Sequence, residues 1–316
     1  MKQNMLKKKR GLAPGEIVPL YFDEAFRIMY ANPKHLEILT VLLSRILKVD
    51  YQDIEGNISL DPLSIPNRTL GEKQTERDVV VAIKKDEKYK LILEVNVQEK
   101  FYQKIIDRNL FYAFEVGGSG LVTGESYSDM PYTFVINFNT FFVNKREKVF
   151  DLYMLRNEEG DILTQKEKVL NINIAKCKDL WYHNDYQGKF GPIEEDLLLL
   201  CAAMVVERQE EFEKILSKVR MKPEIKKMME GVLEEMIDNE EMCGRYYDYK
   251  EERQRINNLI ISEEKEISFK EGILENQREI VLNMYKEDFS LEMISKISKL
   301  SIDVINEIIN SYRKNN

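Results

Sequence analysis

Apolar residues recur at two different periods along this chain, and the change of period divides it. Leu36, Ile38, Leu39, Leu42, Leu43, Ile46 and Leu47 return at the spacing of a helical face, just after Pro33, whose fixed φ suits a first helical turn. A shorter set, Phe22, Phe26, Ile28, Met29 and Tyr30, predicts a helix over 21–31. Asp23 stands near its start, where a carboxylate meets unpaired N–H groups, so its plainer role is that of a cap. From Tyr51 to Gly71 the apolar runs are short and broken by Pro62, Pro66, Asn67 and Gly71, which predicts an irregular or short-strand connection. The stretch RDVVVAIKKDEKYKLILEVNVQ then sets two aliphatic runs on either side of KKDEK, the pattern of a β-hairpin. KFYQKIIDRNLFYAFEVG reads as a helix that stops at Gly117 and Gly118. MPYTFVINFNTFF, DLYMLR and VLNINIAKC read as three further strands. Helix, helix, strand, hairpin, helix, strands is the order of an α/β (α+β) protein with a mixed sheet, not of a helical bundle.

Beyond about Pro192 the period is helical and the composition charged. We expect three parts: a sheet-containing domain over 1–191, a charged helical region over 192–268 and a tail of short helices over 269–316. In the tail Ser290 and Ser301 stand where N-caps would, with Glu292 and Asp303 in the first turns. Packing through Ile280, Met284, Ile294, Ile297, Ile305 and Ile308 is expected there, compatible with a helix-turn-helix.

Composition narrows the picture modestly. The 316 residues are 43% hydrophobic and 32% charged, which suits a soluble protein with one sizeable core and added helical mass. LEILTVLLSRIL is interrupted by Glu37, Ser44 and Arg45, too early for a membrane span. The basic start, MKQNMLKKKR, is not followed by the apolar run of a signal peptide. Cys177, Cys201 and Cys243 lack the spacing of a disulfide framework or zinc knuckle, and a cytoplasmic location is expected. A net charge of −8 disfavours a generally basic nucleic-acid coat but leaves room for a local basic cleft. His35 and His183 are isolated, GGSG at 117–120 lacks the flanking strand and helix of a phosphate loop, and Trp181, Tyr182 and Tyr186 read as packing.

One constellation carries chemistry. Metal-dependent phosphodiester cleavage needs two carboxylates close enough to hold Mg²⁺, which polarises the scissile phosphate and lowers the pKa of the attacking water. A hairpin whose loop is centred on Asp86 would set Asp78 opposite Glu94, on one face with Asn96 and with Gln98 continuing the row. The bland alternative is an exposed Asp and a surface ion pair. Against it, Glu94 interrupts the apolar run LILEVNV, where a carboxylate is costly unless it is paired or binds metal.

LILEVNVQEK followed by RNLFY resembles the Rpn/transposase type of PD-(D/E)XK nucleases, in which a strand Asp precedes an E-x-Q or E-x-N pair and an R-N-x-x-Y helix. FDEAFRIMY is similar to that family's opening helix, with Arg27 in place of its Lys. GLVTGESYSDMPYTFVINF and the tail MYKEDFSLEMISKISKLSIDVINEII are similar to later segments. The resemblance implies a restriction-endonuclease-like mixed sheet flanked by helices, with a helical C-terminal extension. It implies a Mg²⁺- or Mn²⁺-dependent DNA endonuclease linked to recombination or a mobile element. Asp78 and Glu94 match the metal-binding carboxylates and Asn96 the third motif position, with Asp23, Gln98, Arg108 and Tyr112 in support. At that third position the wider superfamily carries Lys, and Asn can bond a water but cannot deprotonate it. Two other readings compete: a catalytically weak nuclease fold retained for binding DNA or protein, and a scaffold that self-associates through its C-terminal helices as a homo-oligomer.

Overall fold

A computed structural model describes residues 12–60, 64–65, 75–76, 79–84, 88–96, 103–118, 124, 126–143 and 145–315. Helix α1 (Asp23–Tyr30) forms because Ala25, Phe26, Met29 and Tyr30 share one buried face. Its cap position is Phe22, which offers no side-chain bond, so Asp23 is the first helical residue and not the cap. The Asp23 carboxylate instead accepts from Arg27 one turn later at 3.3 Å. A single 3-10 turn at Pro33–His35 leads into α2 (Leu36–Leu47), whose Ile38, Leu39, Leu42, Leu43 and Ile46 are buried. This helix ends at Lys48 in the left-handed region, φ 57°, and one further turn, α3 (Tyr51–Ile54), precedes the first strand.

The strands are β1 (Ile58–Leu60), β2 (Ser64–Ile65), β3 (Thr75–Glu76), β4 (Val79–Lys84), β5 (Lys88–Asn96), β6 (Tyr132–Asn139), β7 (Phe150–Met154) and β8 (Glu167–Asn173). β2 and β3 pair with each other, and the other six form one mixed sheet in the order β1-β4-β5-β6-β8-β7. The hairpin β4–β5 is symmetric about position 86, from Lys84 opposite Lys88 to Val79 opposite Leu93, the register expected of the KKDEK turn. β5, β6 and β8 are parallel, so their hydrogen-bonded neighbours run in step from one end to the other. Such a sheet is buried on both faces, which is why its strands read as nearly continuous apolar runs.

Helix α4 (Gln103–Gly118) joins β5 to β6 and lies on one face, where Tyr112, Ala113 and Val116 pack on Ile92, Val135 and Val169. On the opposite face Phe26 of α1 meets Phe138, with ring centroids 5.6 Å apart. The strand expected over VLNINIAKC stops at Asn173. Its side chain accepts from the Lys176 N–H at 2.8 Å and caps α5 (Ile174–Tyr182), so the last residues of that run are helical.

Helices α6 (Pro192–Ala203), α7 (Gln209–Lys218) and α8 (Pro223–Asp238) follow. α6 is buried from Asp196 to Ala203 and packs between α5, α7 and α2. Asp196, 3% exposed, accepts from Arg45 at 3.1 Å and Arg220 at 3.0 Å, which compensates its buried charge. Tertiary contacts divide the chain into two units, Met1–Tyr246 and Tyr247–Asn316, so the helices from Pro192 to Asp238 belong to the unit that holds the sheet. The dividing point falls within α9 (Glu240–Lys286).

The second unit contains α10 (Leu291–Ser298) and α11 (Ile302–Asn315). Ser290 and Ser301 accept from Met293 and Val304 N–H groups, as expected of caps. Its core is Val281, Ile294, Ile305 and Ile309, with Met284 and Ile308 against it. Two expectations need correction: Ile297 is exposed, and Ile280 lies outside the core, which Val281 enters one position later. Cys177, Cys201 and Cys243 are buried free thiols. Among the described residues no helix is long and apolar enough to cross a membrane.

Candidate active site

Side chains in register on parallel strands share a face, so a polar residue in one strand sets the company it keeps in the next. Glu94 is in register with Asn137 and Asn137 with Asn171, while Asn96 is in register with Asn139 and Asn139 with Asn173. Three adjacent strands thus carry the same interruption, Glu-Val-Asn, Asn-Phe-Asn and Asn-Ile-Asn, at the same height. On the antiparallel edge Asp151 of β7 continues the first row beside Asn171. Glu94, Asn137, Asn139, Asn171 and Asn173 are all buried. Asn139 donates to Asn171 Oδ1 at 3.1 Å, tying the two rows together diagonally. Buried amides at this density need hydrogen-bond partners, since each unmet polar group costs on the order of 1–3 kcal/mol.

Helix α4 supplies the roof. Its Tyr112, Ala113 and Val116 cover the neighbouring apolar row, and one turn earlier the same helix presents Arg108 and Asn109. Arg108 lies 3.6 Å from Glu94, and its guanidinium also stands 5.8 Å from the Tyr112 ring centroid. The pair is asymmetric: the Glu94 side chain is 5% exposed, that of Arg108 37%. Asn109 is buried, and its Oδ1 has no hydrogen-bond partner among the described residues.

The structure therefore brings Glu94, Arg108 and Tyr112 together. It places the Asn96 backbone beside Asn139, while the Asn96 side chain, Asp78 and Gln98 lie outside the described residues. Asp23 is not part of this cluster: α1 packs on Phe138, whose side chain alternates to the opposite face from Asn137, and the Asp23 carboxylate is paired with Arg27. Sequence reasoning missed Asn109, Asn137, Asn139, Asn171 and Asn173. The signal was present, because Asn is depleted in strands and N-x-N stands twice inside apolar runs, in phase with E-x-N.

A second carboxylate sits elsewhere on this face. Glu167 is in register with Thr133, at the other end of the strands, and its carboxyl is pushed up to about 7 by burial. A Cβ built on Gly117 would stand 2.6 Å from Glu167 Oε1, so a side chain there would push the Glu167 carboxylate aside.

Chemically the Glu94 cluster offers a carboxylate, amide oxygens and a guanidinium. All the donors are hard oxygens, and the buried Asn109 Oδ1 lacks a partner, which suits Mg²⁺ or Mn²⁺ over a thiophilic metal. Among the described residues no three His, Cys, Asp or Glu side chains gather; Glu94 is the carboxylate beside Arg108, and Asp151 stands at the far edge of its row. Compared with known families, the chain matches the one described as PD-(D/E)XK nuclease family transposase over residues 20–264. No curated protein and no solved structure matches it.

Proposed function

The chain belongs to the PD-(D/E)XK nuclease family transposases, and from that premise we propose that it is a metal-dependent DNA endonuclease acting in recombination or mobile-element movement. The observation that carries the reading is Glu94. It is a carboxylate 4% exposed in a strand of the central parallel sheet, with a cation at 3.6 Å and buried amides on the neighbouring strands. A carboxylate is retained in such a place when it is paired or holds a metal.

In this reading Glu94 and Asp78 hold Mg²⁺ or Mn²⁺, which when bound polarises the scissile phosphate and acidifies the attacking water. Asp78 immediately precedes β4, whose first residue is in register with Leu93, and that supports its assignment beside Glu94. Arg108 neutralises Glu94 before a cation arrives. Its partly exposed guanidinium then faces the side from which a phosphate approaches and donates to a phosphate oxygen. Asn96 orients the water by hydrogen bonding, with Gln98 in support, and neither removes its proton. The buried amides keep Glu94 in one orientation and exclude bulk water. Self-association through the C-terminal helices, supported by the exposed Met293 and Ile297 one turn apart on α10, and a cytoplasmic location complete the proposal.

Nicking and linearisation of plasmid DNA with Mg²⁺ or Mn²⁺ test it, run beside Asp78→Ala and Glu94→Gln. Cleavage by the parent that both variants lose supports the assignment; equal cleavage by parent and Glu94→Gln refutes it. The Glu94–Arg108 pair and Asn96 also favour a second reading, a nuclease fold kept for binding. Metal and DNA binding by the parent without any cleavage would select it.

A further inference from the structure

The sheet face opposite Glu94 is covered by α1 and α2 only in part. Because α2 ends at Leu47, the start of the parallel strands is left with a cavity of about 790 Å³, walled by Ile46–Val49 and by Asp53 and Ile54. Its floor follows from strand register: Tyr89 is in register with Tyr132 and Phe134 with Lys168, which puts three aromatic rings and a lysine on one face. The Tyr89 and Tyr132 rings lie 5.3 Å apart and 31° from parallel. Lys168 Nζ stands 4.8 Å above the Phe134 centroid, and Lys166 Nζ 5.7 Å above that of Tyr132.

The charges around this floor are unequal. Lys48 is compensated by Glu194 at 2.6 Å. Lys166 donates to the Ser128 and Met130 carbonyls, which hold the ammonium in place without cancelling its charge. Lys168 has no carboxylate partner among the described residues, and Asp53 is the carboxylate of the lining. In a chain of net charge −8 the aromatic floor thus keeps one lysine, Lys168, without a carboxylate partner among the described residues, with Lys166 beside the lining.

We propose that this cavity binds a nucleoside phosphate, the base lying on Tyr89 and Tyr132 and the phosphate accepting from Lys168, whose ammonium is held over Phe134. Flat rings gain from stacking on aromatic faces whatever their sequence, and a phosphate matches ammonium groups held above those rings. The volume lies in the range of small-molecule sites. The same chemistry is presented by a free nucleotide and by a nucleotide within a single strand. The inference does not depend on Glu94 acting in cleavage, because the two sites lie on opposite faces of the sheet.

Binding is measured with EDTA present, so that no strand is cut, using AMP by calorimetry and a fluorescein-labelled oligo-dT by anisotropy at low salt. The parent is expected to bind, and Lys168→Glu and Tyr132→Leu each to weaken binding about tenfold or more. Lys168→Gln serves as the milder variant should Lys168→Glu melt below the parent. AMP binding identifies a free nucleotide as the ligand, whereas binding of oligo-dT alone identifies a strand. Binding of neither probe overturns the proposal. So does oligo-dT binding that survives both substitutions and is lost in Arg108→Met, since that strand would be held at the Glu94 site.

Discussion

Arg108 and Glu94 are 3.6 Å apart but unequally buried, so removing one or the other should have unequal cost. Arg108→Met removes the cation that stands 3.6 Å from a carboxylate 5% exposed. Breaking a fully buried pair in that way costs about 3–5 kcal/mol; with the Arg side chain 37% exposed, water can enter, and roughly 2–3 kcal/mol is expected. Glu94→Gln keeps the volume and lets Arg108 turn to solvent, at a cost of about 1 kcal/mol or less. In thermal melts with EDTA, Arg108→Met should fall by roughly 4–12 °C, Glu94→Gln by a few degrees at most, and the double variant should resemble Glu94→Gln. Adding Mg²⁺ should then raise the melting temperature of Arg108→Met more than that of the parent, because a cation at Glu94 no longer competes with the guanidinium. A site filled to about 100 times its Kd gives about 2.7 kcal/mol. Glu94→Gln should not respond. Equal melting of Arg108→Met and parent, or an equal Mg²⁺ response in Glu94→Gln, would refute the reasoning.

Glu167, pushed up to about 7 by burial, binds its proton more tightly folded than unfolded. Its stabilisation is therefore complete below the unfolded value near 4.5 and lost as pH rises through about 7. Discounted for its partial exposure, the effect is on the order of 1–2 kcal/mol, and urea titrations of Glu167→Gln should lose that slope between about pH 5 and 8. A slope unchanged in the variant would assign it to another group. Asn96→Lys should speed plasmid cleavage about tenfold or more if water activation limits the parent, and an unchanged rate would exclude that limit. In the second unit, Ile294→Ala should cost about 2–4 kcal/mol of local stability and Ile297→Ala close to nothing, read by hydrogen exchange of residues 281–309 in the whole chain. Similar loss of protection in both would contradict the packing of α10.

Periodicity alone determined the helices at α1, α2 and α4, the hairpin and its centre at position 86, and the mixed order of strands and helices, because these depend on neighbours a few residues apart. Glu94 was legible for the same reason: a carboxylate inside an apolar strand is conspicuous before any partner is known. The strand across VLNINIAKC was overextended, because apolar residues suit both conformations and the cap at Asn173 decides between them. Ile297 was placed in the core by spacing that α10 turns outward. What joins Glu94 to Asn137 and Asn171 is the parallel pairing of β5, β6 and β8, which brings residues 43 and 34 positions apart into register. No local pattern encodes that pairing, since it is chosen by the burial of two sheet faces at once. The cavity over Tyr89 and Tyr132 has the same origin, in where α2 happens to end above a sheet assembled from distant segments.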